Sequence, residues 1–103
     1  MVEIEWAGPA VNNLREIVEY IAFDNPIAAV QVAERIMSPV EPLRDHPHSG
    51  SFVPELPGSS VRQLVEPPCR IFYRVDGTTV RILHLLRFEQ IFRPGYVEDE
   101  LPE

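Results

Sequence analysis

The chain has 103 residues, of which 45% are hydrophobic, enough for one modest core, too short for two domains and too apolar for a disordered segment. A single cysteine, Cys69, excludes an internal disulfide and a cysteine-based zinc site, and no apolar run approaches the about 20 residues that cross a bilayer. The net charge is −7, and all nine basic residues are arginine; this excludes the strongly basic surface of a nonspecific nucleic-acid binder but suits local, bidentate contacts with carboxylates or phosphates.

Val2, Ile4 and Trp6 alternate with Glu3 and Glu5, the period-two pattern of a short strand with one buried face. This opening has neither a basic stretch nor an apolar run, so no signal peptide is expected and the cytoplasm is the simplest location. Gly8-Pro9 ends the strand and opens a helix running to about Phe23, with Val11, Leu14, Ile17, Val18 and Ile21 at helical spacing. Asn25-Pro26 supplies an N-cap and a proline at the first helical position for a second helix, with Val30, Ala33, Ile36 and Met37 expected on its apolar face. Pro39 and Pro42 should stop it near Met37 or Ser38. Two helices joined this closely form an antiparallel hairpin.

Residues 44–60 contain Pro47, Gly50, Pro54, Pro57 and Gly58 and read as a loop, long for so small a domain. Three strands are predicted beyond it, over 61–65, 69–76 and 78–87, the last two joined at Asp76-Gly77. From Pro94 the chain is acidic and should leave the core. The order β-α-α-β-β-β predicts an α+β domain: an antiparallel sheet covered on one face by an N-terminal helical hairpin, with the first strand joining the sheet. The domain is drawn over 1–95, with an acidic tail over 96–103 that either solubilises the end or folds back on an arginine-rich face.

Several residues have two readings. Glu55 either anchors its loop or serves chemistry or target binding. Arg62, Arg70, Arg74 and Arg81 fall on predicted strands, where spacing of four places Arg70 and Arg74 on one face, as a basic patch or as ion-pair partners of helix glutamates. His84 is foremost a structural histidine in an apolar strand, and Cys69 a small apolar residue rather than a nucleophile. His46 and His48 flank Pro47 without a third well-placed ligand, so neither a metal nor another cofactor is expected.

The chain resembles the RelE/ParE superfamily of toxins over roughly Trp6 to Arg87. The resemblance rests on Leu14-Arg15-Glu16-Ile17-Val18-Glu19-Tyr20-Ile21, Asn25-Pro26-Ile27-Ala28-Ala29 and Gly50-Ser51-Phe52-Val53-Pro54-Glu55-Leu56. It continues through Val61-Arg62-Gln63-Leu64 and Arg70-Ile71-Phe72-Tyr73-Arg74-Val75 to Val80-Arg81-Ile82-Leu83-His84. It implies the toxin of a type II toxin–antitoxin (plasmid stabilisation) pair, neutralised by a cognate antitoxin. ParE-like members inhibit DNA gyrase; RelE-like members cut mRNA, usually on the ribosome, by a metal-independent attack of the 2′-hydroxyl on the adjacent phosphate. For the ribonuclease, the resemblance implies Glu55 as base, Arg70 positioning the phosphate and Arg87 stabilising it. The proton-transfer positions fall on Arg87 and Phe88, and neither side chain can shuttle a proton near neutral pH. The ParE-like role is therefore the leading expectation, with the ribonuclease or a degenerate, non-toxic member as alternatives. Target or antitoxin contacts are expected from Arg62, Arg74, Arg81 and Arg93.

Overall fold

A computed structural model describes residues 1–98. Its elements are β1 (Glu3–Trp6), α1 (Gly8–Asp24), α2 (Pro26–Met37), a 3-10 turn (Glu41–Arg44), β2 (Ser51–Phe52), β3 (Arg62–Glu66), β4 (Cys69–Asp76), β5 (Thr79–Arg87) and α3 (Gly95–Glu98). The strands form one sheet in the order β1-β5-β4-β3-β2. The predicted α+β architecture is present, with one correction to its sheet. β1 runs parallel to β5, pairing Glu3 with Thr79 through Trp6 with Ile82, while the remaining pairs are antiparallel. The helical hairpin carries the chain back to the end from which β1 started, so β1 enters the sheet beside β5 in the same direction.

Local chemistry sets the boundaries. The Asn25 side chain accepts a hydrogen bond from the Ala28 backbone N–H at 3.0 Å, and Pro26 occupies the first turn of α2. α2 ends at Met37, ahead of Pro39, and Ser51–Phe52 in the long loop pairs with β3 as a two-residue strand. Gly77 has φ +58° between Asp76 and Thr79, which face each other across the β4–β5 hairpin. A positive φ at the first loop residue matches the twist of the two strands.

The helix-covered face of the sheet buries Ile71, Tyr73, Val80, Ile82 and Leu85 against Ala10, Ile17 and Ile36, with Trp6, Leu14 and Ile21 at the margin. The buried stripe of α2 is Ala29, Val32 and Ile36 rather than the expected face through Val30 and Met37, which are exposed. Ala29 is short enough to let the helix backbone come close, and the buried line then follows the i, i+3, i+7 spacing from it.

The opposite face carries a second apolar cluster. Phe72, Leu83 and Leu86 pack there with Val53, Val61 and Val97, flanked by Leu56, Phe92 and Tyr96. The expected departure from the core at Pro94 therefore does not hold for Tyr96 and Val97: Val97 is fully buried, and the Tyr96 ring stacks on His84 with centroids 4.4 Å apart. Asp99, Glu100 and Glu103 of the predicted tail lie outside the described residues. Among the described residues no helix is long and apolar enough to cross a membrane.

Between β4 and β5 the register slips: Phe72 faces His84 but Tyr73 faces Ile82, leaving Leu83 as an extra residue on β5. Such a bulge reverses which face the following side chains take. Ile82 and Leu85 both reach the helix side, while Leu83 and Leu86 share the other. This single slip decides where the candidate arginines lie.

Candidate functional site

Glu55 and Arg70 meet on the helix-free face. Arg70 extends from β4 beside Phe72, and the loop before β3 brings Glu55 to it: the two terminal guanidinium nitrogens donate to the two carboxylate oxygens, both at 2.7 Å. Nε and one terminal nitrogen also donate to Oε1 of Gln63, at 2.9 and 2.7 Å. The guanidinium carbon lies 4.8 Å from the Phe72 ring centroid and 5.7 Å from that of Phe92. Bidentate Arg–carboxylate pairs are among the stronger polar contacts, and aromatic faces add a cation–π attraction. Gln63 reaches this clasp because β3 sets it opposite Phe72.

The hydrogen bonds from Arg70 lower the pKa of Glu55, outweighing the opposing effect of its burial. A carboxylate held in this way is a weaker base than a free one. Because its folded-state pKa lies below the ordinary value, its contribution to stability is fully present above the ordinary carboxylate pKa and is lost as pH falls through the lowered one. The expected result is that Glu55→Gln reduces the loss of stability on acidification, measured by urea unfolding at a series of pH values. An unchanged acid limb would mean that the pair does not persist in solution. Glu55 is partly exposed, so the effect should be modest.

The other arginines are divided between the two faces. Arg74 and Arg81 face each other across β4 and β5, on the side of Arg70. Arg74, 7% exposed, donates through Nε to both Asp76 oxygens at 2.8 Å, and Arg81 reaches Glu5 on β1 at 3.5 Å. Arg70 and Arg74 thus share a face as the spacing requires, but their carboxylate partners come from a loop and a hairpin rather than from helix glutamates. Arg62 lies opposite Tyr73 on the helix side; it donates to the carbonyls of His48 and Gly50 and sits 4.3 Å from the Phe52 ring centroid. Arg93 is exposed in the segment that leads to α3.

Arg87 is opposite Cys69 on the helix side, with its guanidinium 5.5 Å from the Tyr20 ring centroid and 3.3 Å from Glu89. Glu55 and Arg70 are therefore brought together, and Arg87 is not brought to them. Cys69 is completely buried, and burial, assisted by Glu66, pushes its thiol pKa up to about 11, which leaves little thiolate for nucleophilic chemistry. Among the described residues no group of three or more His, Cys, Asp or Glu could hold a metal ion.

A cavity of about 330 Å³ opens beside Arg87, where β1 has ended and β5 continues without a strand neighbour on that side. Asn13 of α1 and Gln90 accept hydrogen bonds from the exposed-edge N–H groups of Leu85 and Arg87, at 3.1 and 3.0 Å. His84 contributes its imidazole to the lining, with Nδ1 buried and lacking a hydrogen-bond partner among the described residues. Burial lowers the pKa of His84, partly offset by the Glu16 carboxylate. Gln63 and Asn13 carried no signal as site residues in the sequence. For Phe92 and Tyr96, the spacing of two aromatics just ahead of the acidic end was the one available hint.

A five-stranded sheet with a helical hairpin packed on one face is the fold this chain shares with solved RelE/ParE-type toxins. Residues 4–92 match the family model described as ParE toxin of type II toxin-antitoxin system, parDE, and the chain belongs to that family. It is 31% identical over 91 residues to Toxin RelE2 of Caulobacter vibrioides, covering 84% of this chain and 99% of the relative. It is 37% identical over 87 residues to Putative toxin Y4kP of Sinorhizobium fredii, covering 79% and 85%. Among solved structures, a chain of the chromosomal ParDE TA system from P. aeruginosa superposes with a TM-score of 0.74 at 26% identity, covering 86% of this chain and 98% of that one. The RelBE2 toxin–antitoxin complex of Mycobacterium tuberculosis shares the fold at a TM-score of 0.56 and 18% identity, covering 84% and 96%.

Proposed function

We propose that this toxin acts in the cytoplasm by binding a protein target, DNA gyrase by family analogy, rather than by cutting RNA. The supporting observation is the clasp: both oxygens of Glu55 and all three guanidinium nitrogens of Arg70 are engaged within the chain. A ribonuclease would need Glu55 free to take a proton and Arg70 free to hold a phosphate. It would also need Arg87 on the same side, whereas Arg87 lies across the sheet with the non-titrating Phe88 beside it.

A cognate antitoxin is the neutralising partner in this reading. Tyr20, Phe23, Ile27 and Val30 are 73%, 91%, 74% and 58% exposed around the tip of the helical hairpin, an apolar surface suited to an amphipathic segment that orders on binding. Arg62, Arg81 and Arg93 keep accessible surface and serve as polar contacts for antitoxin or target, whereas Arg74, expected among them from the sequence, is 7% exposed and held by Asp76. The purified toxin should inhibit gyrase-catalysed supercoiling, and its antitoxin should relieve the inhibition. Undiminished supercoiling at saturating toxin would refute the gyrase target.

A further inference from the structure

The last described stretch of the chain runs back along the sheet toward two arginines. Gln90 accepts from the Arg87 N–H at the end of β5, Tyr96 stacks on His84, and Val97 is fully buried in the cluster that holds Leu83 and Phe72. Each step moves closer to the β4–β5 hairpin. The next side chains in that direction on the helix-free face are Arg81 of β5 and Arg74 of β4. They lie two residues beyond Leu83 and Phe72 and pair with each other across the strands. Two residues of strand measure about 7 Å, and the five residues 99–103 that follow α3 reach about 17 Å when extended. We propose that this segment docks on the arginine pair, setting the carboxylates of Asp99 and Glu100 against Arg81 and Arg74, so that the chain's own acidic end fills a seat for acidic segments.

Charge selects the occupant. Like charges directly opposite on one face of a sheet repel, and Arg74 and Arg81 stand in that relation. Asp76 engages Nε of Arg74 at 2.8 Å, and Glu5, more than half exposed, reaches a terminal nitrogen of Arg81 at 3.5 Å. A guanidinium carries five N–H donors, so an arginine that meets one carboxylate has the capacity to meet a second. The segment brings the carboxylates of Asp99, Glu100 and Glu103 and no basic residue. Its tether holds it near the pair at an effective concentration on the order of millimolar, so contacts that are weak one by one suffice. Arg70 is not an equivalent seat, because Glu55 already holds both of its terminal nitrogens. Arg81 is among the residues assigned to antitoxin or target contacts, so a partner that approaches it with an acidic segment must first displace this end. That consequence rests on the protein-binding reading; the contact itself does not.

The test follows the guanidinium Nε–Hε signals of the ¹⁵N-labelled full chain by NMR at low salt, beside a variant carrying Asp99→Asn, Glu100→Gln and Glu103→Gln. The expected result is a shift of the Arg74 and Arg81 signals in the variant, with none at Arg62 or Arg70. Raising the salt should move the full chain's two signals toward the variant's positions. A chain ending at Glu98 keeps every described residue and should match the triple variant at both signals. Unchanged Arg74 and Arg81 signals, shifts of equal size at Arg62 or Arg70, a shift confined to Arg93, or an effect of truncation that the triple variant does not reproduce would each overturn the proposal. None of these readouts involves gyrase or growth, so failure of the contact and failure of the protein-binding reading are told apart.

Discussion

Phe72→Ala should destabilise the domain by about 3–5 kcal/mol, measured as the shift in the urea unfolding midpoint at constant slope. Phe72 is completely buried on the helix-free face, in one packed cluster with Val53, Val61, Leu83, Leu86 and Val97, and its ring lies 5.2 Å from that of Phe92. Removing the ring takes away apolar burial, opens a cavity, and deprives Arg70 of one of its two aromatic faces. Against a total stability of about 5–15 kcal/mol for a domain of this kind, a loss of that size brings the variant near the unfolding threshold. Val65→Ala, on the same face but 59% exposed, should change stability by no more than about 0.5 kcal/mol. Truncation after Pro94 should act in the direction of Phe72→Ala because it removes Tyr96 and Val97. A Phe72→Ala variant as stable as Val65→Ala would mean that the second face is not packed in solution.

Gly50→Ala is the other change with a large expected cost, about 2–4 kcal/mol from overpacking and a lost buried hydrogen bond. A Cβ there would come within 2.6 Å of the Tyr73 hydroxyl oxygen and 2.7 Å of the Gln63 carbonyl oxygen. Tyr73 is fully buried and its hydroxyl accepts from the Gly50 N–H at 2.8 Å, so the side chain cannot swing away without losing that bond. The Gly50 carbonyl in turn receives Arg62 at 2.8 Å, which ties the loop to β3. The effect is read by calorimetry or urea unfolding, with Gly8→Ala as a comparison at a site where nothing lies within 4 Å of the added carbon. Equal stability of the two variants would contradict the close approach of the loop to Tyr73.

These two positions also mark where the sequence was legible and where it was not. Alternation in β1, the helical stripe of α1, the Asn25-Pro26 break and the turn at Gly77 are local signals, and each element formed where they placed it. The direction of β1 is not a local property: Val2, Ile4 and Trp6 alternate identically in a parallel or an antiparallel pair. The second core was hidden because Phe72 and Leu83 lie on strands whose other face already had a cover, while Val97 came from a stretch whose acidity pointed to solvent.

The bulge at Leu83 had the largest consequence for the site. Uninterrupted alternation along β5 would put Arg81 and Arg87 on one face, together with Arg70. The extra residue instead turns Arg87 toward α1 and Tyr20. Similarly, the arginines suggested a basic patch, but the nearby acids Glu55, Asp76, Glu5 and Glu89 were not readable as their partners without the tertiary fold. What looked like a set of candidate phosphate ligands is largely a set of internal ion pairs.

Action by protein binding is tested by inducing the chain alone in bacterial cells and mapping mRNA ends and plasmid supercoiling in the same culture. Growth arrest is expected with intact mRNA and reduced negative supercoiling, unchanged in kind by Glu55→Gln. Discrete mRNA cleavage that disappears in Glu55→Gln would contradict action by protein binding, and arrest-free growth with folded, soluble protein would contradict toxicity.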